Sequence, residues 1–222
     1  TRVDFRVYAS AWAEPFEVET GWSVGAPSDS ATSGLWVRSD PVGTAGGAVQ
    51  PEDDHTAGEG RQCFATGNGT PGGFPGEADV DEGRTTLTSP PFDLRSVLDP
   101  WLRYYRWFTN DAGAGARDDD FLVEGSSDDG DTWIVLERLR ETRAAWEAVE
   151  IHLSDFLDAS ATVRVRFIAS DERSPSLIEA AVDDVEIWSG VAPMPPPPPP
   201  TLTRLLLPAP HPYRVGGHLR FD

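Results

Sequence analysis

The sequence predicts an all-β protein, an antiparallel β-sandwich of the jelly-roll type with long acidic loops. Short stretches in which apolar and polar residues alternate recur along the 222 residues, and turns rich in glycine and proline separate them. The best helix candidate, residues 139–148, soon changes into the alternating pattern of a strand. With 39% hydrophobic residues, including 8 Trp and 10 Phe, the chain can fill a core between two sheets.

The clearest local pattern is a hairpin in residues 118–133, DDDFLVEGSSDDGDTW. Residues 121–126 predict one strand and residues 132–137 the next. The turn between them contains Gly130, which can adopt a positive φ, and aspartates that can accept hydrogen bonds from turn amides. The spacing S-x-D-x-G-x-T-W fits the Asp-box pattern, which is a folding device, so we interpret the turn as structural.

The remaining strands are predicted from the same alternation, which is most regular in the VRVRFI segment of residues 163–168. A polar loop spans residues 40–83 apart from a short strand, and so long a loop in a compact domain indicates a function or metal binding. Residues 154–157 predict one short helical turn. The other predicted strands are residues 21–24, 34–38, 62–66, 84–88, 101–109, 146–153 and 180–188.

Charge and cysteine content exclude several classes of protein. The formal net charge is −19 and all 18 basic residues are arginine, which argues against binding to nucleic acid or to anionic membrane surfaces. Cys63 is the single cysteine, so no internal disulfide can form, and we expect it to be a small buried residue. No apolar run is long enough for a transmembrane helix.

Several short motifs occur in an order that resembles a known family. They resemble the MAM-like, galactose-binding-like jelly roll that follows catalytic domains in secreted bacterial proteases, over about residues 15–189. The disulfides of that family are absent, which places the resemblance with its bacterial branch. The motifs are FE and GW in residues 16–22, TLTSPPFDL in 86–94, SDDGDTW in 127–133, IHLS in 151–154, VRF in 165–167 and VDDV in 182–185.

The two ends of the chain resemble other families. Residues 1–10 are similar to the closing strand of the small β-sandwich that follows zinc carboxypeptidase catalytic domains, and an edge strand of the main domain is the alternative. Residues 207–221 resemble the start of a C-terminal secretion-sorting domain, with His211 where that family usually has Asn; this resemblance implies export. We therefore predict an end strand of a preceding domain at 1–12, the jelly roll at 13–190, a polyproline linker at 191–201, and a truncated sorting or anchoring domain at 202–222.

Acidic residues cluster where a calcium ion could bind, because calcium takes about six to eight oxygen ligands. The resemblance implies that the strands carrying Glu17 and Asp183 are neighbours joined by calcium, whereas Asp184 would point to the other face. A second predicted site contains Asp53 and Asp54 with Asp79 and Asp81, on loops that would repel each other without an ion; a solvated acidic surface is the alternative. The wider second group adds Glu52, Glu77 and Glu82, and a third group consists of Asp111, Asp118, Asp119 and Asp120.

No catalytic constellation is recognisable. The histidines His55, His152, His211 and His218 show no metalloprotease or paired zinc spacing, and no G-x-S-x-G motif occurs. Tyr105 and Trp107 share one face of their predicted strand and are the candidate ligand-binding residues, which could stack on sugar rings.

We therefore predict a non-catalytic, calcium-stabilised accessory or binding module of a secreted, multidomain bacterial hydrolase, most simply a peptidase such as a zinc carboxypeptidase. The alternatives are a carbohydrate-binding module or a cell-surface adhesin domain. The expected localisation is extracellular, secreted or at the cell surface. The expected partner is a glycan or protein ligand, without nucleic acid or membrane insertion, and the expected state is a monomeric module.

Overall fold

Eleven β-strands form the part of the chain that the computed structural model describes, residues 8–44 and 47–190, and a 3₁₀ turn at Leu153–Asp155 follows the ninth. The predicted all-β class is confirmed, and the segment 139–148 lies mostly in strand. The strands are β1 (Tyr8–Glu14), β2 (Ser23–Val24), β3 (Trp36–Ser39), β4 (Cys63–Thr66), β5 (Gly83–Thr88), β6 (Pro100–Thr109), β7 (Phe121–Ser126), β8 (Ile134–Leu139), β9 (Arg143–His152), β10 (Arg164–Asp171) and β11 (Glu179–Gly190).

The strands form two antiparallel sheets. The first has the order β3-β4-β11-β6-β9, with β1 also paired to β11, and the second has the order β2-β5-β10-β7-β8. Each inner face is apolar because side chains alternate along a strand; in β10, Val165 and Phe167 are buried while Arg164 and Arg166 are partly exposed. The architecture is the predicted β-sandwich of the jelly-roll type.

Aromatic side chains fill the space between the sheets. Phe167 lies at the centre, with its ring centroid 5.1 Å from that of Tyr104, 6.0 Å from that of Trp22 and 6.4 Å from that of Phe121. Full burial of a side chain of this size contributes about 1.5–3 kcal/mol to the free energy of unfolding.

The central hairpin follows its sequence pattern. Gly130 has φ 99°, and the Gly130 N–H donates a hydrogen bond to the Ser126 hydroxyl at 2.9 Å. The Asp128 carboxylate accepts hydrogen bonds from the Thr132 N–H at 2.9 Å and from the Thr132 hydroxyl at 2.6 Å. These contacts lie within the turn, which confirms the prediction of a structural hairpin between β7 and β8.

The amino-terminal strand belongs to the first sheet, where β1 pairs with β11 from Tyr8–Gly190 to Glu14–Val185. For residues 8–12 this is the alternative that we considered, an edge strand of the main domain. Residues 1–7 lie outside the described residues, as do the predicted linker and sorting domain in residues 191–222, so the predicted division of the chain stays a prediction there.

A β-bulge interrupts β11 at the point where its pairing partner on one edge changes from β4 to β1. On one side β11 pairs with β6; on the other it pairs with β4 at Ala181 and Val182 and then with β1 from Val185 onward. The register to β6 shifts between Asp183 and Glu186, and Asp184 has φ 46°. A bulge re-aims the side chains at its position, and this one lies at the gap between the ends of β1 and β4.

Candidate cation and ligand sites

Four carboxylates from three separate segments meet beside the bulge of β11. We call them the bulge cluster: Glu17, Asp54, Asp183 and Asp184. Glu17 follows β1, Asp54 lies on the loop before β4, and the two aspartates lie in β11. Burial raises the pKa of the Cys63 thiol, and the charges of Asp183, Asp54, Asp40 and Glu17 raise it further. The structure therefore brings together the predicted ligands Glu17, Asp54 and Asp183.

Asp183 is the most deeply buried member of the bulge cluster, with no exposed surface. One carboxylate oxygen, Oδ2, accepts hydrogen bonds from the backbone N–H groups of His55 at 2.8 Å and Thr56 at 3.2 Å. Burial raises the pKa of Asp183 to about 8; the His55 N–H acts against this rise and the charge of Asp184 adds to it. A nearby cation would favour the ionised form.

Asp184 corrects our expectation that its side chain points to the other face of the strand. Its Oδ2 lies 2.7 Å from Nδ1 of His55, and its Oδ1 accepts a hydrogen bond from the Thr56 hydroxyl at 2.9 Å. The bulge and the positive φ interrupt the usual alternation, so Asp183 and Asp184 both reach the segment of residues 55–56.

Asp54 carries the carboxylate oxygen of the bulge cluster that is most available to bind a cation. Burial raises the pKa of Asp54 to about 6, and the charge and hydrogen bond of Glu17 raise it further. Its Oδ2 is buried and has no hydrogen-bond partner among the described residues. Glu17 in turn accepts hydrogen bonds from the backbone N–H groups of Arg61 at 3.0 Å and Gln62 at 3.2 Å. The donor set consists of oxygens, which suits calcium, and the unpartnered Oδ2 is an available ligand atom.

The other predicted loop ligands lie elsewhere. The Asp53 side chain is exposed, and its carbonyl accepts a hydrogen bond from Nε1 of Trp146 at 3.1 Å. Asp79 is buried, and burial together with the charges of Asp81 and Asp171 raises its pKa to about 6. Asp81 lines a separate open cavity of about 510 Å³ together with Asp171. The predicted second set is therefore divided between different places.

Residues of the third acidic group are used in structural contacts. Asp120 forms ion pairs with Arg138 and Arg140, both at 2.5 Å. Asp119 is buried and accepts hydrogen bonds from the Glu172 N–H at 2.9 Å and the Ser176 hydroxyl at 3.3 Å. These contacts give the two carboxylates protein partners.

The predicted stacking pair lies under the long acidic loop. Tyr105 and Trp107 share the outer face of β6, as predicted, but Trp107 is only 8% exposed and its Nε1 donates to the Val49 carbonyl at 2.7 Å. The His55 ring stacks on Tyr105, with centroids 3.4 Å apart and planes 16° apart. In this structure a sugar ring could stack there only if it displaced the loop.

The opposite end of the same face is open. A cavity of about 220 Å³ is lined by Ser10, Arg103, Glu150, Glu186 and Trp188. The half-buried Trp101 stacks on Trp188, with centroids 5.2 Å apart and planes 4° apart. Polar hydrogen-bonding groups beside aromatic rings are the usual lining of a sugar-binding cleft.

Some residues of these sites were not identified from the sequence. Arg103 shares a face of β6 with Trp101 and Tyr105, and Glu150 shares a face of β9 with Trp146; this spacing was present in the sequence. Glu179, which is fully buried at the start of β11, stands in an apolar stretch and gave no signal as a candidate ligand. Asp184 was assigned by alternation alone, which the bulge invalidates.

The described residues contain neither a ready-made set of metal ligands nor a membrane-spanning helix. Within 8–44 and 47–190, no three His, Cys, Asp or Glu side chains are already arranged as metal ligands. Over the same ranges, no helix is long and apolar enough to cross a membrane.

No protein-family model and no curated protein matches this chain. The solved structures that resemble it include the K1 cleaved adhesin domain of Lys-gingipain from Porphyromonas gingivalis W83, which is 19% identical, with a TM-score of 0.47, covering 80% of this chain and 97% of that chain. The CBM22-1 xylan-binding domain of Xyn10C from Paenibacillus barcinonensis is 12% identical, with a TM-score of 0.41 and coverages of 85% and 100%. TmCBM61, in complex with β-1,4-galactotriose, is 12% identical, with a TM-score of 0.42 and coverages of 76% and 88%.

Proposed function

We propose that this chain is a non-catalytic, calcium-stabilised binding module of a secreted, multidomain bacterial hydrolase of the peptidase type. The bulge cluster carries the calcium part of this proposal, because Asp54 Oδ2 is buried without a partner among other carboxylates. The ordered MAM-like motifs of residues 15–189 support the protease context and the extracellular location. The module acts by binding and by fixing its neighbours in place, and the chemistry belongs to another domain.

A calcium ion would join the first strand, the long loop and the last strand. Glu17, Asp54 and Asp184 would supply carboxylate oxygens, and Asp183 would orient the loop through its hydrogen bonds to residues 55 and 56. Their mutual repulsion would be replaced by attraction to the ion. The ion therefore stabilises the folded form, to which it binds and the unfolded chain does not.

Calorimetric titration of the chelator-treated chain with calcium tests this proposal. Asp54→Asn keeps the size of the side chain and removes its charge, so we expect calcium binding at the bulge cluster to be lost. Asp158→Asn is the matched control, because this aspartate is exposed and outside the cluster. The proposal fails if Asp54→Asn binds calcium as the control does, or if the wild-type chain binds none.

Carbohydrate binding is a second candidate function, and the open cavity beside Trp101 is the observation that favours it. Arg103 Nε lies 4.0 Å from Glu150 Oε1 in an ion pair and makes no hydrogen bond among the described residues, so it can still donate to a ligand oxygen. Glu150 and Glu186 lie on either side of Arg103 in the neighbouring strands and can accept hydrogen bonds from hydroxyl groups. Because the cavity is lined by one arginine and two glutamates, a neutral sugar fits it better than an acidic sugar.

Affinity electrophoresis in gels that contain neutral β-linked polysaccharides, such as xylan or galactan, tests the sugar site. We expect the wild-type chain to be retarded by at least one of them and Trp101→Ala to migrate freely. Phe156→Ala is the control, because it removes an exposed aromatic ring that does not line the cavity. Equal retardation of Trp101→Ala and the control would locate any glycan binding elsewhere and refute this site.

A further inference from the structure

A second group of acidic residues lies at the start of β11, and its central member is an unusual buried acid. Glu179 has no exposed surface. Its Oε1 accepts a hydrogen bond from the Thr44 hydroxyl at 3.2 Å, whereas its Oε2 is buried and has no hydrogen-bond partner among the described residues. A buried carboxylate oxygen without a donor is costly, so such an atom indicates a missing partner.

Two other acidic side chains, Asp79 and Glu77, act on Glu179 through their charges. Burial raises the pKa of Glu179 to about 7, and the charges of Asp79 and Glu77 raise it further. Asp79 is itself only 8% exposed. Neither Glu179 nor Asp79 accepts a side-chain hydrogen bond from an arginine within the described ranges, so a cation from the protein does not balance them.

The loop of residues 67–78 brings these carboxylates together. A Cβ placed on Gly76 would lie 3.6 Å from Asp79 Oδ1, and the Gly76 N–H is close enough to Glu179 to lower its pKa. A Cβ placed on Gly69 would lie 3.1 Å from Glu77 Oε1 and 2.9 Å from Thr44 Cγ2. The loop backbone thus passes between Glu77, Asp79 and the residues around Glu179, and it carries further carbonyl oxygens.

We propose that Glu179 and Asp79 form a second calcium site, which fastens the loop of residues 67–78 to the start of β11. The Oε2 of Glu179, which has no hydrogen-bond partner among the described residues, is the innermost ligand, and Asp79 supplies a second carboxylate. Glu77 braces the loop instead, because its carboxylate accepts hydrogen bonds from the N–H and the hydroxyl of Thr70. Loop carbonyls and water complete the oxygen shell that calcium requires. The Thr44 hydroxyl holds the other oxygen of Glu179 and so fixes the orientation of the carboxylate.

This site is separate from the bulge cluster and does not depend on it. Glu179 and Asp183 are four residues apart along one strand, which corresponds to about 13 Å. The two sites also hold different loops, residues 67–78 here and residues 53–62 at the bulge. The loss of one site is therefore expected to leave calcium binding at the other.

Calorimetry combined with amide hydrogen exchange of the full 222-residue chain tests the second site. We expect the chelator-treated wild-type chain to bind two calcium ions, and Glu179→Gln to bind one, which Asp54→Asn then abolishes in the double variant. Calcium is expected to slow amide exchange in residues 67–78 of the wild type and of Asp54→Asn, and to leave it unchanged in Glu179→Gln. Asp79→Asn provides the same test with a smaller change to the buried network, should Glu179→Gln fail to fold.

Glu141→Gln is the matched control, because this glutamate is exposed and belongs to neither cluster. The proposal is overturned if Glu179→Gln, or Asp79→Asn in its place, binds as many calcium ions as Glu141→Gln and keeps the protection of residues 67–78. A wild-type chain that binds a single ion, lost in Asp54→Asn, also overturns it, because Glu179 would then carry a proton in place of a calcium ligand. That last result would leave the bulge site intact, so the two proposals fail separately.

Discussion

Replacement of Asp54 by asparagine should reverse the order of stability between variant and wild type when calcium is added. Without calcium, Asp54 is held against Glu17, and burial together with this charge raises its pKa to about 6. The amide group of the variant carries no charge and can donate a hydrogen bond to Glu17. In chelator, Asp54→Asn is therefore expected to melt at the same temperature as the wild type or above it.

Calcium should favour the wild type by an amount that can be calculated. An ion that binds only the folded form, at about 100 times its dissociation constant, adds about 2.7 kcal/mol to the free energy of unfolding. For a chain of this size, each kcal/mol raises the melting temperature by about 2–4 °C, so the bulge site alone contributes about 5–10 °C. Magnesium should contribute much less because it demands tighter octahedral geometry.

Differential scanning calorimetry in chelator, calcium and magnesium measures this reversal, with Asp158→Asn as the control. We expect the calcium-induced rise in melting temperature of Asp54→Asn to be about 5–10 °C smaller than that of the control. Identical rises in the two variants would refute the assignment of Asp54 as a ligand. The absence of any rise in the wild type would mean that the carboxylate clusters are a solvated acidic surface.

Three further predictions concern residues outside the proposed sites. Glu137→Ala removes the bidentate partner of the buried Arg106, which then keeps only its ion pair with Glu147 at 3.0 Å. It should lower the free energy of unfolding by about 1–3 kcal/mol in urea denaturation, whereas the exposed Glu141→Ala should change it little. Gly130→Ala should cost about 1 kcal/mol or more in the same assay, because Gly130 has φ 99° and a Cβ there would meet Trp133 at 3.2 Å. Burial lowers the pKa of His152, but hydrogen bonds to Asp99 and Asp155 outweigh this effect and raise it. The stability gained from His152 is therefore complete below about pH 6.5 and is lost as the pH rises through the folded-state pKa. We expect His152→Gln to be less stable than the wild type at about pH 5.5 and equally stable at about pH 9. Equal stability of the two proteins at both pH values would contradict this reasoning.

Most of the strand positions were predictable because the signals are local. Residues 163–168 show their buried face by alternation, and the hairpin of residues 118–133 contains its own turn chemistry, so each can be read without the rest of the chain. The proximity of Glu17, Asp54 and Asp183 required more, because these residues are distant in sequence. The resemblance to a jelly-roll family implied that the strands of Glu17 and Asp183 are neighbours, and the loop position of Asp54 beside them was not predicted.

The features that sequence reasoning missed depend on long-range contacts. Asp184 turns towards the loop because β11 changes partners from β4 to β1 at the bulge, and no local pattern marks this change. Trp107 is covered because the loop that contains Val49 folds back over the outer face of β6, which a strand pattern cannot indicate. Glu179 lies among apolar residues, so its burial was foreseeable, but its acidic neighbours come from a separate loop.

The acidic residues of this chain fall into two kinds, and the difference follows from the placement of its arginines. Asp120 and Glu137 accept hydrogen bonds from arginine side chains, so these carboxylates are neutralised by the fold itself. In the bulge cluster and around Glu179, by contrast, the described structure shows no arginine side chain bonded to the carboxylates, and one oxygen in each place is buried without a partner. With a net charge of −19, the chain has too few arginines to neutralise every acid. Repulsion within the two arginine-free groups must therefore be relieved by protons or by ions from the solvent, and calcium, the ion that we propose, binds to such groups of oxygen atoms.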